Sequence, residues 1–454
     1  MPATNRLREP LFILLIPLSL LLILSLSDSS MEIWNHQFKR VDLLSDIKAR
    51  GIFMHAPVSS RLLSDSVIRH YESECAKIKT DPALAAFFES LLQTQQKKKK
   101  TRIAYFGDSM IEGDLVTQDL RTTFQDTFGG VGVGFMPITS IVAGFRQTIF
   151  HTFSGNWQTY SLLDHSGGNF TLGITGFDFV PAVTSATDTA PGKSGSWVKY
   201  SSVGRKGLDK FYNVNLYYGK SEGENNYLTI AGHAFRLKGS LPVNELQLVR
   251  SKPIQSIQAF FSCQDAMNLF GFSMEGDSGI YVDNFSFRGN SGMPLSKIPG
   301  AVLTGLNNHL NYDLIILHYG VNVVNNKVTD FSWYERGMTD VVNHIRSAIP
   351  NASILIISTS DKSFYTNGAY VTDPSVPLVI DVQKRVAEKT GVAFWNLYEA
   401  MGGYNSMVKW VQGDTVLANK DYTHPNFRGA KKIAGMLYQY LITDYKGYVK
   451  KQKV

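Results

Sequence analysis

Cysteine is almost absent from this chain. Cys75 and Cys263 are the only two in 454 residues, which excludes a disulfide scaffold and a cysteine-based zinc site. The pair can join only in an oxidising compartment. Charge is sparse too. Asp, Glu, Lys and Arg make up 18% of the chain against 44% hydrophobic residues, which excludes an intrinsically disordered polymer. The net charge is +7, and its one dense run is Lys97–Lys100. No aromatic residues interleave with that run, so it reads as a solvated linker and no nucleic-acid partner is expected. His151, His165 and His233 lack ligand spacing such as H-x-x-x-H, so neither a metal nor another cofactor is expected. Internal repeats are absent. The length suggests two or three domains with a core large enough to need no staples.

Long apolar runs are absent as well, with one exception. Leu11–Leu26 is interrupted only by Pro17, Ser19 and Ser25, and Arg6 and Arg8 precede it. A positive flank before a short apolar segment is how export machinery recognises a chain. No A-x-A site follows, which favours a retained membrane anchor over a cleaved signal peptide. Residues 1–30 are therefore expected to be an export segment in contact with the membrane. The rest is expected outside the cytoplasm, in the periplasm or cell envelope.

Four regions follow. Residues 31–100 hold helix-like pieces, Leu62–Lys77 and Pro82–Gln93, and end in the lysine run. Arg102–Phe106 is strand-like, a Gly-Asp-Ser turn follows, and Leu115, Leu120, Phe124 and Phe128 recur at helical spacing. Residues 129–279 are rich in Gly, Ser, Thr and aromatics. Their short strands, Ser196–Ser201, Val214–Tyr218, Tyr227–Ala231, Glu245–Val249 and Ile257–Phe261, predict an inserted all-β, jelly-roll-like sandwich. Strands at Leu314–Leu317, Ser353–Ser358 and Val392–Trp395 then alternate with helices at Tyr334–Ile349, Pro377–Thr390 and Asn426–Leu441. Proline is expected at the first position of the second helix. The fold class read from this is α/β: a three-layer α/β/α domain with a parallel sheet, built from residues 101–128 and 280–445 and interrupted by residues 129–279. A basic tail, 446–454, closes the chain.

Four short motifs carry chemistry. Gly107-Asp108-Ser109 follows a strand and precedes a helix, which places a serine hydroxyl at the carboxyl edge of a parallel sheet. Asp421-Tyr422-Thr423-His424 sets a carboxylate three residues before an imidazole, the base and orienting group that a serine nucleophile needs. Gly320-Val321-Asn322 follows a strand and offers an amide donor to an oxyanion. Gly289 offers a bare backbone N–H to the same charge. Each alone has a plain structural explanation: a helix cap for Asp108 or Ser109, a surface loop with a helix-capping Asn426, and ordinary turns at Asn322 and Gly289. Together they occur in one order on loops expected at one edge of one sheet. His318, on a buried strand, is expected to be structural, and Asp361 an ordinary loop carboxylate. Trp157, Tyr160, Trp197, Tyr200, Tyr217 and Tyr218 offer rings to a sugar, with core packing the expected role of any single one.

The order and spacing resemble the SGNH, or GDSL-like, hydrolase superfamily. The blocks are Gly107-Asp108-Ser109, Gly289, Gly320-x-Asn322 and Asp421-x-x-His424. A narrower resemblance is to peptidoglycan O-acetylesterases, which carry a β-sandwich like a carbohydrate-binding module between the serine and glycine blocks. Gly107–Asp114 and Gly129–Phe135 are similar to the corresponding runs there. Met110 departs from the leucine of G-D-S-L, and Val323 stands where many members have an acidic residue.

The resemblance implies metal-free ester hydrolysis on an acetylated glycan. Ser109 would be the nucleophile, His424 the base and Asp421 its partner, with Ser109, Gly289 and Asn322 as the oxyanion hole. It leaves open an O-acetyltransferase, an esterase of another acetylated polysaccharide such as xylan, and a glycan-binding protein with a vestigial site.

Overall fold

The computed structural model describes residues 80–164, 170–184 and 195–452 in full, and the backbone of residues 32, 33, 36 and 37. The apolar run Leu11–Leu26, the helix expected over Leu62–Lys77, Cys75 and His165 lie outside the described residues. Glu32–Ile33 and His36–Gln37 pair antiparallel. Among the described residues no helix is long and apolar enough to cross a membrane.

A five-stranded parallel sheet forms the centre. Its strands are β1 (Lys100–Gly107), β2 (Gly279–Ser286), β3 (Leu314–His318), β4 (Ser353–Ile357) and β5 (Ala393–Trp395), in the order β2-β1-β3-β4-β5. The sequence dictates this placement through continuous apolar runs. Every residue of β3 and β4 is buried, as expected of strands covered on both faces. Successive side chains serve opposite layers. Ala104, Phe106, Ile315, Leu317, Ile354 and Ile356 enter one cluster. Ile103, Tyr105, Leu314, Ile316, Leu355 and Ile357 enter the other.

Helices cover both faces. Gly300–Leu310, Ser332–Ala348 and Ser375–Thr390 lie on the first, contributing residues such as Leu306, Val342 and Val379. Ala85–Lys97, Thr117–Phe128 and Phe427–Gln452 lie on the second, where Phe124 meets Phe87 and Tyr438. The helix Ala85–Lys97, where a helix-like piece is expected over Pro82–Gln93, packs into this core. The lysine run is only the joint between it and β1, with Lys98 in left-handed backbone at φ 52°. The expected basic tail is helical as far as Gln452.

Two local expectations need correction. The segment after β1 does not enter a long helix directly. Ser109–Asp114 is a short 3-10 stretch, broken at Gly113 with φ 65°, and the helix begins only at Thr117. Asp114 and Val116 also have positive φ, 74° and 64°, so the chain turns twice before helical geometry can propagate. Pro377 is not the first helical residue either. The helix starts at Ser375, and proline is accommodated because N–H groups throughout the first turn lack intrahelical acceptors.

Between the helix Thr117–Phe128 and β2 lies a β-rich region of two antiparallel sheets. One has five strands, with Ser196–Ser201 and Ser256–Cys263 central. The other is built around Asn213–Tyr218 and Leu269–Glu275. Tyr200, Tyr217 and Tyr218 are buried there, so packing occupies those rings, whereas Trp157, Tyr160 and Trp197 are half-buried. His151 is buried, its Nε2 2.9 Å from the Ile138 carbonyl, and His233 is exposed. Cys263 is buried beside Met267.

A buried ionic network joins the two regions. Arg102 of β1 binds Glu275 at 2.5 Å and Asp283 at 2.9 Å. Asp283 also accepts from the Phe135 N–H and the Tyr312 hydroxyl, both at 2.8 Å.

Candidate active site

Strand register assembles the site. Gly107 lies opposite Ser286 on one side and His318 on the other. The loops after β1, β2 and β3 therefore leave the sheet at one level and one edge. That edge, between β1 and β3, is the switch point where connections diverge to opposite faces and a crevice opens.

Gly107 permits the exit from β1. A Cβ there would fall 2.9 Å from Ile111 and 3.0 Å from the His318 carbonyl oxygen. Asp108 then caps the turn, its Oδ1 accepting from the Met110 N–H at 3.0 Å. Capping falls to Asp108, so the Ser109 hydroxyl is free to face His424, with Oγ 2.8 Å from Nε2. His424 Nδ1 lies 2.7 Å from Asp421 Oδ2. A carboxylate only accepts, so Nδ1 carries the proton and Nε2 presents its lone pair to the hydroxyl. Asp421 Oδ1 accepts from the N–H groups of Thr423 and His424, both at 3.0 Å. Partial burial pushes the Asp421 carboxyl up, but these N–H groups and the imidazole outweigh it and hold the carboxyl below its usual range. Asp421 and His424 are open to solvent, 48% and 35% exposed.

The D-x-x-H loop is held from three sides. The Asn419 N–H donates to the His424 carbonyl at 2.9 Å, and the Ser363 N–H to the Tyr422 carbonyl at 3.0 Å. Asn426 Oδ1 accepts from Arg428 and Gly429 and so caps the final helix. This is the cap expected of Asn426, and it coexists with the Ser–His–Asp contact.

Asn322 is brought beside Asp108. Its Nδ2 donates to Asp108 Oδ2 at 2.9 Å and to the Asn290 carbonyl at 3.2 Å, which occupies both amide hydrogens. Gly289 has φ 71° and is exposed. Among the described residues the N–H groups of Gly289 and Ser109 have no acceptor. An exposed ion pair between Glu112 and Arg288, 2.5 Å at its shortest, ties the turn after Ser109 to the residue before Gly289.

His318 is buried, its Nδ1 bonded to the Tyr105 hydroxyl at 3.0 Å. Burial pushes it down to about 4, so it is a neutral core histidine. Asp361 is not a surface loop carboxylate. It is fully buried and accepts from the Met407 N–H at 2.7 Å. Reading by motif missed Asn290, whose carbonyl meets Asn322. It also missed the hairpin Ser363–Thr366/Ala369–Thr372 that braces Tyr422. The dipeptide Asn367-Gly368, both at positive φ, is the sequence signal for that hairpin.

Residues 270–432 match the GDSL-like lipase/acylhydrolase family. The GDSL-like segment contains Gly289, Asn322, Asp421 and His424, whereas Ser109 lies before it, separated by the inserted sheets. A solved peptidoglycan O-acetylesterase is 24% identical, with a TM-score of 0.66 over 80% of this chain and 96% of its own. That likeness shows a shared fold that includes the inserted region. A Bacillus subtilis protein is 14% identical, with a TM-score of 0.32 over 64% of this chain and 90% of its own. An acetyl xylan esterase is 17% identical, with a TM-score of 0.29 over 36% of this chain and 80% of its own. No curated protein matches the sequence.

Proposed function

We propose that the protein is an exported serine esterase that removes O-acetyl groups from an envelope glycan, peptidoglycan first among them. The observation that carries the reading is the relay Ser109 Oγ–His424 Nε2–Asp421, at 2.8 and 2.7 Å, on the edge where a parallel sheet opens. Ser109 Oγ attacks the acetyl carbonyl carbon while His424 Nε2 takes the hydroxyl proton. The carbonyl electrons move to oxygen, and the N–H groups of Ser109 and Gly289 receive the charge. Asn322 joins them by releasing its longer bond, the one to Asn290. As the C–O bond breaks, His424 returns the proton to the sugar oxygen. Water, deprotonated by His424, then attacks the acyl carbon, the bond to Ser109 Oγ breaks, and His424 returns the proton to Oγ as acetic acid leaves. Asp421 holds the tautomer and balances the imidazolium.

The likeness in fold to a peptidoglycan O-acetylesterase supports the choice of glycan. The inserted sheets, read as a jelly-roll-like sandwich, would present the polymer to the site. The test is acetate release from O-acetylated peptidoglycan and O-acetylated xylan in parallel, comparing the chain with Ser109→Ala. Serine-dependent release from peptidoglycan is expected. Release from xylan alone would move the substrate to plant polysaccharide. Inertness toward both, together with no labelling by a serine-directed phosphonate, would defeat the enzyme reading.

A further inference from the structure

The relay uses nothing from the inserted region, yet one side chain of that region lies against both chain segments that carry it. Residues 140–146 form a turn that is closed on itself. The Ala143 N–H donates to the Ser140 carbonyl at 3.2 Å and the Phe145 N–H to the Val142 carbonyl at 3.0 Å. The turn is pinned beside the nucleophile segment through buried Asp114. Arg146 pairs with Asp114 at 3.1 Å, and Thr148 donates to it at 2.6 Å. Arg121 holds the same carboxylate at 2.8 Å.

Phe145 lies at the end of this anchored turn. Its ring covers Gly113, so closely that a Cβ there would sit 2.3 Å from the ring. It also stacks on Phe427, with centroids 5.0 Å apart and planes at 29°. Gly113 follows Ser109 by four positions and Phe427 follows His424 by three. The ring therefore spans the two segments whose side chains meet in the relay.

Phe145 is nevertheless 46% exposed, and Ile141 in the same turn is 87% exposed. A buried ion pair thus holds apolar surface in water at the mouth of the site. The exposed part of that surface gains no burial until a ligand covers it.

We infer that Phe145 is a specificity-determining residue, the wall against which the alcohol half of the ester, a pyranose ring, packs. The inference rests on the esterase reading. The side of the site decides which half of the ester meets the wall. The acetyl oxygen belongs with Gly289 and Asn322, on the loops after β2 and β3. The leaving oxygen must lie near His424, which returns its proton, and Phe427 adjoins that histidine. A flat ring there matches the C–H face of a sugar.

The test uses the full chain with two substrates, O-acetylated peptidoglycan and glycerol triacetate, the latter too small to cover the wall. Phe145→Ala and Phe145→Leu should lower kcat/KM on the glycan by roughly 3–10-fold, mainly through KM. Both should leave triacetate turnover within about twofold. Phe145→Tyr should restore the glycan value. Leu keeps the packing on Gly113 and Phe427 but lacks a flat face, so it separates recognition from folding. An equal loss on both substrates would make the ring merely structural, and no loss on the glycan would remove it from recognition. A wild-type chain without Ser109-dependent turnover of either substrate would overturn the esterase reading itself, and this inference with it.

Discussion

Tyr370 and Tyr422 lie face to face, their ring centroids 3.6 Å apart and their planes within 7° of parallel. Tyr422 is the second residue of the D-x-x-H loop and has φ 54°, a conformation that L-residues with bulky side chains seldom adopt. Neighbours hold it there. Gln412 donates to its hydroxyl at 2.7 Å, Ser363 to its carbonyl at 3.0 Å, and its own N–H reaches the Asn419 carbonyl at 3.1 Å. The stack on Tyr370 completes the brace, and through it the hairpin fixes where Asp421 and His424 stand.

Tyr370 is therefore a positioning residue under the proposed mechanism. Tyr370→Ala should lower kcat, because a displacement of about 1 Å in a reacting group can cost up to about 10²-fold. KM should hold, since no substrate contact is removed. Tyr370→Phe keeps the stacked face and should keep kcat. A loss shared by Phe and Ala, or a rise in KM without a fall in kcat, would show that the ring does something other than set the loop.

Asn322 has two duties that one substitution separates. In the resting site it donates to buried Asp108 and to the Asn290 carbonyl. In the proposed transition state it turns one hydrogen to the oxyanion. Asn322→Ala should lower kcat by about 10²–10³-fold, the usual cost of one oxyanion donor. It should also lower stability by about 1–3 kcal/mol, because buried acceptors lose their donor. The two effects are read separately, by turnover well below the melting temperature and by urea unfolding. Near-normal turnover with lowered stability would leave Asn322 as a support for Asp108 alone.

Much of this was legible in the sequence where short-range chemistry decides. The runs Leu314–His318 and Ser353–Ile357 are apolar throughout because both faces of a central parallel strand are covered. Ser109, Asp421 and His424 could be picked out because a serine, an imidazole and a carboxylate are the residue types that a nucleophilic relay requires, and the structure brings the three side chains together. What stayed hidden depends on distant contacts. Asp361 reads as a loop carboxylate until the Met407 N–H is found against it. The late start of the helix at Thr117 follows from consecutive positive-φ residues, Gly113 and Asp114, of which only the glycine is marked by type. Leu269–Glu275 was not identified as a strand, although all of it is buried and it pairs with Asn213–Tyr218. The pairing slips between Leu269 and Gly271, and a bulge blurs period-two alternation. Phe145 carries no local signal at all, since its position comes from Arg146 finding Asp114 across the chain.

Asp108 gives a prediction in pH. Burial pushes its carboxyl up to about 7, and the hydrogen bonds from Met110 and Asn322 only partly oppose that rise. An unfolded aspartate titrates near about 3.9. Between those values the folded protein keeps a proton that the unfolded chain has released. The contribution of Asp108 to stability therefore falls as pH rises from about 4 to about 7, and levels off above. The whole window is worth up to roughly 4 kcal/mol at about 1.4 kcal/mol per unit. Asp108→Asn cannot titrate. It costs some stability at every pH, because an amide nitrogen replaces one acceptor, but it lacks the slope. Urea unfolding of both proteins across the window should show the wild-type advantage shrinking as pH rises. Parallel curves would mean that Asp108 is ionised throughout, its charge carried by the Met110 N–H and the Asn322 amide. Asn322 would then be held to a full negative charge and would be harder to turn toward an oxyanion.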